Sequence, residues 1–244
     1  MLVKADLHIH TSLSCDGRSS LEDMLKAAAS AGIDAVAVAD HDILSVKKED
    51  NPPLIIPACE CSTIDGHIIA LFIESPVTCL KKYTGRLPSA SEAIHEIHAL
   101  GGIAVWAHPY ERHTILNENA IAFADIIETA NARASFKNTE ANKMARELAY
   151  RLGKPCCGGS DAHHLSEVGN AYSEIDCKAC TLDCIKEALL SGRTRAVLVR
   201  NTPRLKKGIS QFEKRRKKGF SPLSYSKGLL YIAYCLLLDF IKER

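Results

Sequence analysis

The chain has 244 residues, of which 25% are charged and 46% hydrophobic, and its formal net charge is +2. This is the composition of an ordinary globular protein, and it excludes a disordered or collagen-like chain. The length allows one large domain or one domain with an appendage. Asp6 and His8 interrupt any apolar signal run at the start, so we expect a cytoplasmic protein.

The first predicted strand, residues 5–11, carries Asp6, His8 and His10 on one face, because side chains two positions apart in a strand point the same way. Two neighbouring imidazoles at the end of a strand suit a divalent transition metal. Asp16 lies in the loop that follows and offers a hard oxygen ligand. A His-x-His pair alone is a weak signal, so its meaning depends on the later strands.

Four later apolar segments also end in histidine or carboxylate residues. They lead into Asp40-His41-Asp42, Glu60, His108-Pro109 and Asp161-Ala162-His163. In a barrel, parallel strands bring their carboxyl ends to one rim, which is where barrel enzymes place their chemistry. A set of His, Asp and Glu side chains at that rim predicts a site for more than one metal ion.

Predicted helices alternate with these strands. Serine caps and glycine stops support the first two of the following four helices. The predicted helices cover residues 20–32, 89–100, 138–152 and 181–190. The strands around residues 55–59 and 68–73 are joined by an Asp-Gly turn, which is compatible with a hairpin as well as with a βαβ unit. The alternation predicts a parallel sheet, and polar residues at one end of about seven strands favour a closed barrel.

The chain contains ten cysteines, which is many for its length. Because no signal for secretion precedes them, we expect buried thiols and not a disulfide framework. Cys177, Cys180 and Cys184 have a spacing that zinc or an iron–sulfur cluster could use. No fourth ligand is evident, so structural thiols are the favoured interpretation.

The charge changes sharply after Pro203. Residues 204–218 carry eight lysines or arginines against one glutamate, and residues 228–238 then contain no charge. We therefore divide the chain into a body, residues 1–203, and a basic then apolar helical tail, residues 204–244. The uncharged run is too short to span a bilayer. Three interpretations stay open: a helix packed on the body or on a second copy of the chain, a peripheral anchor on anionic lipid, or contact with nucleic acid.

Five motifs in this order resemble those of the PHP (polymerase and histidinol phosphatase) family. They are the Asp-Leu-His-Ile-His-Thr strand at residues 6–11 with Asp16-Gly17, Asp40-His41-Asp42, the Glu60 segment, His108-Pro109, and Gly159-Ser160-Asp161-Ala162-His163. The chain resembles the small stand-alone metal-dependent phosphoesterases of this family more than its polymerase-fused domains. The resemblance implies an α/β fold, a distorted (β/α)7 TIM-like barrel.

The resemblance also implies two to three divalent ions, which would be manganese, iron or zinc. His8, His10, Glu60 and Asp161 would hold the first ion; Asp16, His41 and Glu60 the second; and His67, His108 and His163 the third. Asp16 departs from relatives that have histidine at this position. Because aspartate is the harder ligand, it favours manganese, magnesium or iron over zinc.

The expected activity is hydrolysis of a phosphomonoester, a small nucleotide or metabolite phosphate, by metal-activated water. Asp161 would orient the water or accept its proton, and His41 or His163 would protonate the leaving alkoxide. Arg112 and Arg18, in loops that follow strands, are the candidates for binding the substrate phosphate.

Further roles are expected for three polar residues near the motifs. Asp40 and Asp42, which flank His41, are expected to orient imidazoles. Asn131 is expected to line the pocket.

Three alternatives to this function stay open at this stage. The first is a histidinol-phosphatase-like enzyme, although the short loops between motifs argue mildly against it. The second is a 5′–3′ exonuclease or other oligonucleotide phosphoesterase, which only the basic tail supports. The third is a metal-binding module without catalysis, which the near-complete ligand set disfavours.

Overall fold

The structure is a computed structural model that describes residues 1–47, 52–111, 116–219 and 221–242. The strands are β1 Leu2–Ile9, β2 Ala35–Val38, β3 Leu54–Thr63, β4 Gly66–Leu71, β5 Ile103–Trp106, β6 Ile126–Asn131, β7 Cys156–Gly159, β8 Ala171–Asp176 and β9 Thr194–Leu198. The helices are α1 Leu21–Ser30, α2 Lys81–Thr84, α3 Ala90–Ala99, α4 Glu118–Phe123, α5 Ala141–Leu152, α6 Leu182–Leu190, α7 Arg204–Lys217 and α8 Pro222–Lys242. Short 3-10 turns cover Ala134–Phe136 and Leu165–Glu167.

The strands form one sheet in the order β7-β6-β5-β4-β3-β2-β1-β8-β9. β1, β2 and β3 are parallel to one another, and so are β5, β6 and β7. β4 is antiparallel to both β3 and β5. Six strands therefore point the same way and bring their carboxyl ends to one rim, while β4 begins at that rim.

The two halves of the sheet curl towards each other, so that β7 meets β1. The His10 N–H donates to the Ala162 carbonyl at 2.8 Å, and the Ser160 N–H donates to Asp6 Oδ1 at 2.8 Å. Gly159 allows the approach, because a Cβ at this position would lie 2.4 Å from His8 Cβ. The result is a nearly closed, TIM-like α/β barrel, as expected from the sequence.

The strand count differs from the expected (β/α)7 pattern, because the described part of the chain has nine strands. The turn at Asp65-Gly66 makes β3 and β4 a hairpin without a helix between them. β8 lies antiparallel to β1 and pairs with β9, and it was not predicted. β8 alternates buried and partly exposed residues, so it lacks the continuous apolar run that identified the other strands.

Helix boundaries follow the predicted caps. Ser20 Oγ accepts a hydrogen bond from the Asp23 N–H at the start of α1. Ser89 and Glu92 form a capping box at the start of α3. Both helices pack apolar residues on the outside of the sheet, among them Met24 from α1. The four predicted helices are therefore confirmed, with ends shifted by up to three residues.

The cysteines are free thiols, all ten of them. Cys177 is buried and belongs to a core cluster against which Cys180 and Cys184 also pack. Among the described residues, the groups that could hold a metal ion lie at the rim and do not include these cysteines.

Two antiparallel helices, α7 and α8, form the C-terminal part of the chain. Asp239 near the end of α8 caps the start of α7 by accepting the N–H groups of Arg204 and Leu205 at 2.9 and 2.8 Å. Arg133, after β6, ties α7 to the barrel by donating to Ser210 Oγ at 3.2 Å. Within α8, residues 223–241 are long and apolar enough to cross a membrane by length and composition, which is weak evidence for a single helix.

Candidate metal centre

Nine side chains that the motifs predicted as metal ligands converge at the rim. β1 carries His8 and leads into His10, β3 carries Glu60, and β4 carries His67 near its start. The other members follow strands or lie in loops at the same rim. They are Asp16, His41, His108, Asp161 and His163.

Glu60 occupies the middle of this cluster and is 1% exposed. Its two carboxylate oxygens face different histidines. Oε2 lies 2.9, 3.4 and 3.5 Å from His41 Nδ1, His10 Nε2 and His8 Nε2. Oε1 lies 2.7 and 3.0 Å from His67 Nδ1 and His108 Nε2. A carboxylate shared in this way has the position of a bridge between metal ions.

Two aspartates complete the cluster on its other side. Asp161 Oδ1 lies 3.3 Å from His10 Nε2 and 3.4 Å from His163 Nδ1. Asp16 Oδ1 lies 3.3 Å from His163 Nε2, and its Oδ2 lies 3.6 Å from His41 Nε2. His163 therefore belongs with the aspartates.

This arrangement regroups the third ligand set that the resemblance implied. His67 and His108 are neighbours with nearly perpendicular rings, whose centroids lie 5.3 Å apart. His163 instead lies 4.3 Å from His10, centroid to centroid. Four triads place their ligand atoms within 4.8 Å of one another: His10–His41–His163, His8–Glu60–His108, His8–His10–Asp161 and His41–Glu60–His67.

The donor set fits divalent metal ions. Within the described residues, both ring nitrogens of His10 and Nε2 of His8 are buried without a hydrogen-bond partner. Each buried polar atom left unsatisfied in this way costs about 1–3 kcal/mol. A metal ion would use these lone pairs, and a mixed imidazole and carboxylate set suits zinc, iron and manganese.

Electrostatics keep His10 and the two carboxylates in the forms that bind metal. Burial lowers the pKa of His10 to about 4, and the neighbouring His163 acts in the same direction, so this imidazole is neutral at pH 7. Burial opposes ionisation of Glu60 and Asp161, but the surrounding imidazoles outweigh it and hold the pKa of both carboxyl groups well below the usual range. Neutral imidazole and ionised carboxylate are the ligand forms. At His8 and His41 the nearby carboxylates outweigh burial and raise the pKa of both imidazoles, so metal binding there would release protons.

Two of the candidate ligands have strained backbones. His108 has a φ of +26° and Asp161 a φ of +53°, both in the left-handed region that residues with a side chain rarely adopt. Such a conformation costs about 1–3 kcal/mol and persists only where the surrounding structure enforces it. The Glu128 carboxylate provides one constraint, because its Oε2 accepts the His108 N–H at 2.9 Å.

Glu128 is a site residue that sequence reasoning missed. Its Oε1 lies 3.0 Å from His8 Nδ1, which turns His8 Nε2 towards Glu60. The sequence signal was a glutamate that directly follows the two isoleucines at the start of β6.

The predicted role of Asp40 and Asp42 was wrong. Asp40 accepts hydrogen bonds from Thr11 and Ser45, and Asp42 accepts the Ser62 N–H of β3, so among the described residues neither aspartate orients an imidazole. Asn131, the predicted pocket residue, is buried with its Nδ2 3.5 Å from Asp161 Oδ2.

The described part of the site contains two cations that were not predicted, Lys207 and Arg133. Arg112 lies outside the described residues. Arg18 is 41% exposed and pairs with Glu213 at 3.4 Å. Instead, Lys207 of α7 and Arg133 border a cavity of about 30 Å³ together with the rim side chains. The sequence showed that Lys207 belongs to a basic segment, but not that it lies at the metal centre.

Lys207 is almost fully buried at the mouth of the site. Its ammonium forms an ion pair with Glu111, which lies in the loop after β5. Burial lowers the pKa of Lys207 to about 8. Another α7 residue, Lys214, places its Nζ 3.8 Å from Asp16 Oδ2. α7 is therefore a wall of the site.

Fold and site together define an α/β barrel protein with a candidate metal centre at the carboxyl ends of its parallel strands. Residues 139–194 match the family model PHP_C, described as PHP-associated. The chain is 33% identical over 171 residues to the uncharacterized protein MJ1587 of Methanocaldococcus jannaschii. The matched region covers 61% of this chain and 95% of that protein. The chain belongs to the PHP family.

Solved structures share the fold at low identity. One is a two-domain protein from Bacteroides vulgatus described as containing a "predicted PHP-like metal-dependent phosphoesterase", with a TM-score of 0.62 and 20% identity over 81% of this chain and 65% of that chain. Another is the lesion-specific endonuclease PfuEndoQ from Pyrococcus furiosus, with a TM-score of 0.59 and 18% identity over 80% of this chain and 58% of that chain. The chain thus spans about two thirds or less of these proteins, and the likeness concerns the fold.

Proposed function

We propose that the protein is a metal-dependent phosphoesterase that hydrolyses the phosphomonoester of a small nucleotide or metabolite. The observation that carries the proposal is the position of the Glu60 carboxylate, because each of its two oxygens lies beside a histidine ring. Several ring nitrogens of this cluster are buried without a hydrogen-bond partner among the described residues. Membership of the PHP family and the likeness to metal-dependent phosphoesterases support it.

Divalent ions bound here would supply a hydroxide nucleophile at neutral pH and neutralise charge on the phosphoryl oxygens. The chain's own groups would position the reactants. Asp161 is ionised and partly open, with 12% of its side chain exposed, so it can orient a water molecule or accept its proton. His41 and His163 border the same cavity and are the candidates for protonating the leaving oxygen.

Lys207 and Arg133 would bind the non-reacting phosphate oxygens. Both side chains border the cavity, and Arg133 is held in place by Glu167, which accepts from its Nε at 3.1 Å. An ammonium has three N–H groups, so Lys207 can keep Glu111 and still donate to a phosphate. These charge-assisted hydrogen bonds suit the dianion of a phosphomonoester.

The shape of the site favours a terminal phosphate over an internal diester. α7 covers one side of the rim, where Lys207 borders the cavity and Lys214 approaches Asp16. A phosphodiester within a nucleic acid needs an open path on both sides of the phosphate. A terminal phosphate needs only one.

A nuclease activity is the second candidate, and the fold shared with PfuEndoQ is the observation in its favour. The basic run gives it less support than the sequence suggested. Lys217 donates to the carbonyls of Ser12, Ser14 and Gly17, and Arg216 pairs with Glu213. These contacts direct part of the run towards the protein itself.

The test combines metal analysis with a substrate panel. The purified protein is loaded with manganese, iron or zinc, its metals are counted by elemental analysis, and it is assayed on nucleoside 3′- and 5′-monophosphates, sugar phosphates, histidinol phosphate, a phosphodiester and 5′-phosphorylated oligonucleotides. His10→Ala tests the site, and His95→Ala, an exposed histidine on α3, is the matched control.

We expect two to three ions per chain and monoesterase activity that His10→Ala abolishes and His95→Ala retains. Preference for the diester or the oligonucleotides would favour the nuclease. Preference for histidinol phosphate would assign that enzyme. A protein that binds metals but cleaves none of these esters would overturn the catalytic proposal and favour a binding module.

A further inference from the structure

α8 has one face on α7 and an apolar face that points outward. The inward face has small residues where the two helices touch. Cys235 of α8 is fully buried, and a Cβ on Gly208 of α7 would lie 3.1 Å from Cys235 Sγ. The outward face is formed by large apolar side chains that are 45–70% exposed. These include Leu223, Leu229, Leu230, Leu236, Leu237 and Ile241.

This outward face is unusual for a helix at the surface of a globular domain. Such helices normally have a polar outer face, and a helix that is apolar all round is buried or contacts lipid. In α8, the window of residues 223–241 is only 11% buried. Contiguous apolar patches of this kind mark interaction sites.

The charge next to this face identifies the partner. α7 ends in four consecutive basic residues, Lys214–Lys217, of which Lys214 and Lys217 also contact the barrel and Arg216 pairs with Glu213; Lys218 follows before the turn into α8. Lys218 and Lys227 are exposed at the same end of the helix pair. An apolar helix face beside a basic cluster matches an anionic lipid surface. The acyl chains would contact the apolar face, and the anionic headgroups would contact the basic cluster.

We propose that α8 binds peripherally to anionic membranes. It lies in the plane of the bilayer surface with its leucine-rich face in the boundary between headgroups and acyl chains. The basic end of the α7–α8 pair contacts the headgroups. The barrel and its metal site stay on the aqueous side.

The contacts between α7 and α8 argue against a helix that crosses the bilayer. Asp239 of α8 caps α7 through two backbone N–H groups. A spanning α8 would take this carboxylate into hydrocarbon and separate it from the strongly basic α7, and both changes are costly. A helix lying in the surface keeps every one of these contacts.

A second copy of the chain is the other conceivable partner. It would cover the leucine-rich face, but in a symmetric contact of two α8 helices the carboxylate of α8, Asp239, is already engaged by the start of α7 and is not offered to the basic end. The membrane proposal accounts for both features.

The experiment is vesicle flotation of the full-length protein. Vesicles of phosphatidylcholine with phosphatidylserine are compared with vesicles of phosphatidylcholine alone, at low and high salt. The test variant combines Leu230→Glu and Leu237→Glu. The control variant combines Phe123→Glu and Leu190→Glu. These add the same charge at similarly exposed residues, the last residue of α4 and the last residue of α6. Circular dichroism checks folding, and light scattering without lipid gives the oligomeric state.

We expect binding to phosphatidylserine vesicles that high salt weakens. The test variant should lose more than about a hundredfold in affinity, because two leucines leave the apolar phase, and the control variant should retain binding. Lys218→Ala with Lys227→Ala should weaken binding to phosphatidylserine only. No flotation of the wild-type protein would overturn the proposal. Equal binding to both vesicles at all salt concentrations would overturn it too, and so would a soluble dimer that the test variant dissociates and that does not float.

Discussion

Glu128 and His8 form a buried pair that orients the candidate metal centre from behind. Glu128 Oε1 lies 3.0 Å from His8 Nδ1, so the other ring nitrogen of His8 points to Glu60. The second oxygen of Glu128 accepts the N–H of His108, whose backbone is in the left-handed region. A single carboxylate thus fixes the ring of one candidate ligand and the backbone of another.

Replacing Glu128 with glutamine is expected to weaken metal binding by about 10- to 100-fold, as for other groups that hold a metal-binding histidine. The amide keeps the shape of the side chain but removes the negative charge beside His8. Metal affinity is measured by competition with a chelator of known affinity.

Glu174→Gln is the matched control for this change, because Glu174 pairs with Arg195 on the barrel surface. It should leave metal affinity unchanged. If Glu128→Gln also left it unchanged, the pair would be a packing feature without influence on the metal centre.

Most rim residues could be predicted from the sequence because their motifs lie in or directly after an apolar strand. His10, His41 and His108 lie where parallel strands end, and the topology brings these ends together. Glu128 could not be found in this way, because it belongs to none of these motifs and acts through His8. Its position is decided by pairing between β6 and β7, which no local pattern reveals.

Lys207 shows a second limit of sequence reasoning. It lies far along the chain from every rim motif, in a run that the charge pattern assigned to a separate tail. Its place depends on the contact of Arg133 with Ser210 and on the ion pair with Glu111. The division of the chain at residue 203 stays a prediction, but α7 itself contributes to the site.

Metal ions are expected to stabilise the fold strongly. A ligand at a hundredfold excess over its Kd adds about 2.7 kcal/mol to the free energy of unfolding. For a chain of this size each kcal/mol raises Tm by about 2–4 °C, so saturation should raise it by about 5–10 °C. Calorimetry with and without chelator measures the shift.

His10→Ala should abolish most of that shift, because both nitrogens of His10 lie inside the cluster without a hydrogen-bond partner among the described residues. His95→Ala should show the full shift. A metal-dependent rise of equal size in both variants would contradict the assignment of His10 as a ligand.

Gly159 is expected to be irreplaceable for the closure of the barrel at His8. An alanine Cβ would lie 2.4 Å from His8 Cβ and 2.8 Å from the His8 nitrogen, so the strands must separate. Gly159→Ala should lower the free energy of unfolding by about 1–3 kcal/mol. It should also lower metal content, because His8 moves.

Gly101→Ala separates these two effects. Gly101 has a φ of +73° with open space around it, so alanine strains only the backbone. It should cost about 1 kcal/mol and leave the metal content intact. Denaturant unfolding and elemental analysis of both variants give the comparison. A Gly159→Ala protein with full metal content would show that the contact with His8 is unimportant for the site.

Lys207 is expected to bind substrate phosphate, and to bind it more weakly as the pH rises through about 8. Lys207→Gln removes a charge-assisted hydrogen bond worth about 1.5–3 kcal/mol, so KM should rise about 10- to 100-fold while metal content stays the same.

Burial lowers the pKa of Lys207 to about 8, and the ammonium is the form below the pKa. KM of the wild-type enzyme should therefore rise as the pH increases through about 8. Lys207→Arg keeps its charge at every working pH, so its KM should not rise in this range. Lys206→Gln, one residue earlier on α7, should follow the wild-type profile. A Lys207→Arg enzyme with the same alkaline rise would assign the titration to another group.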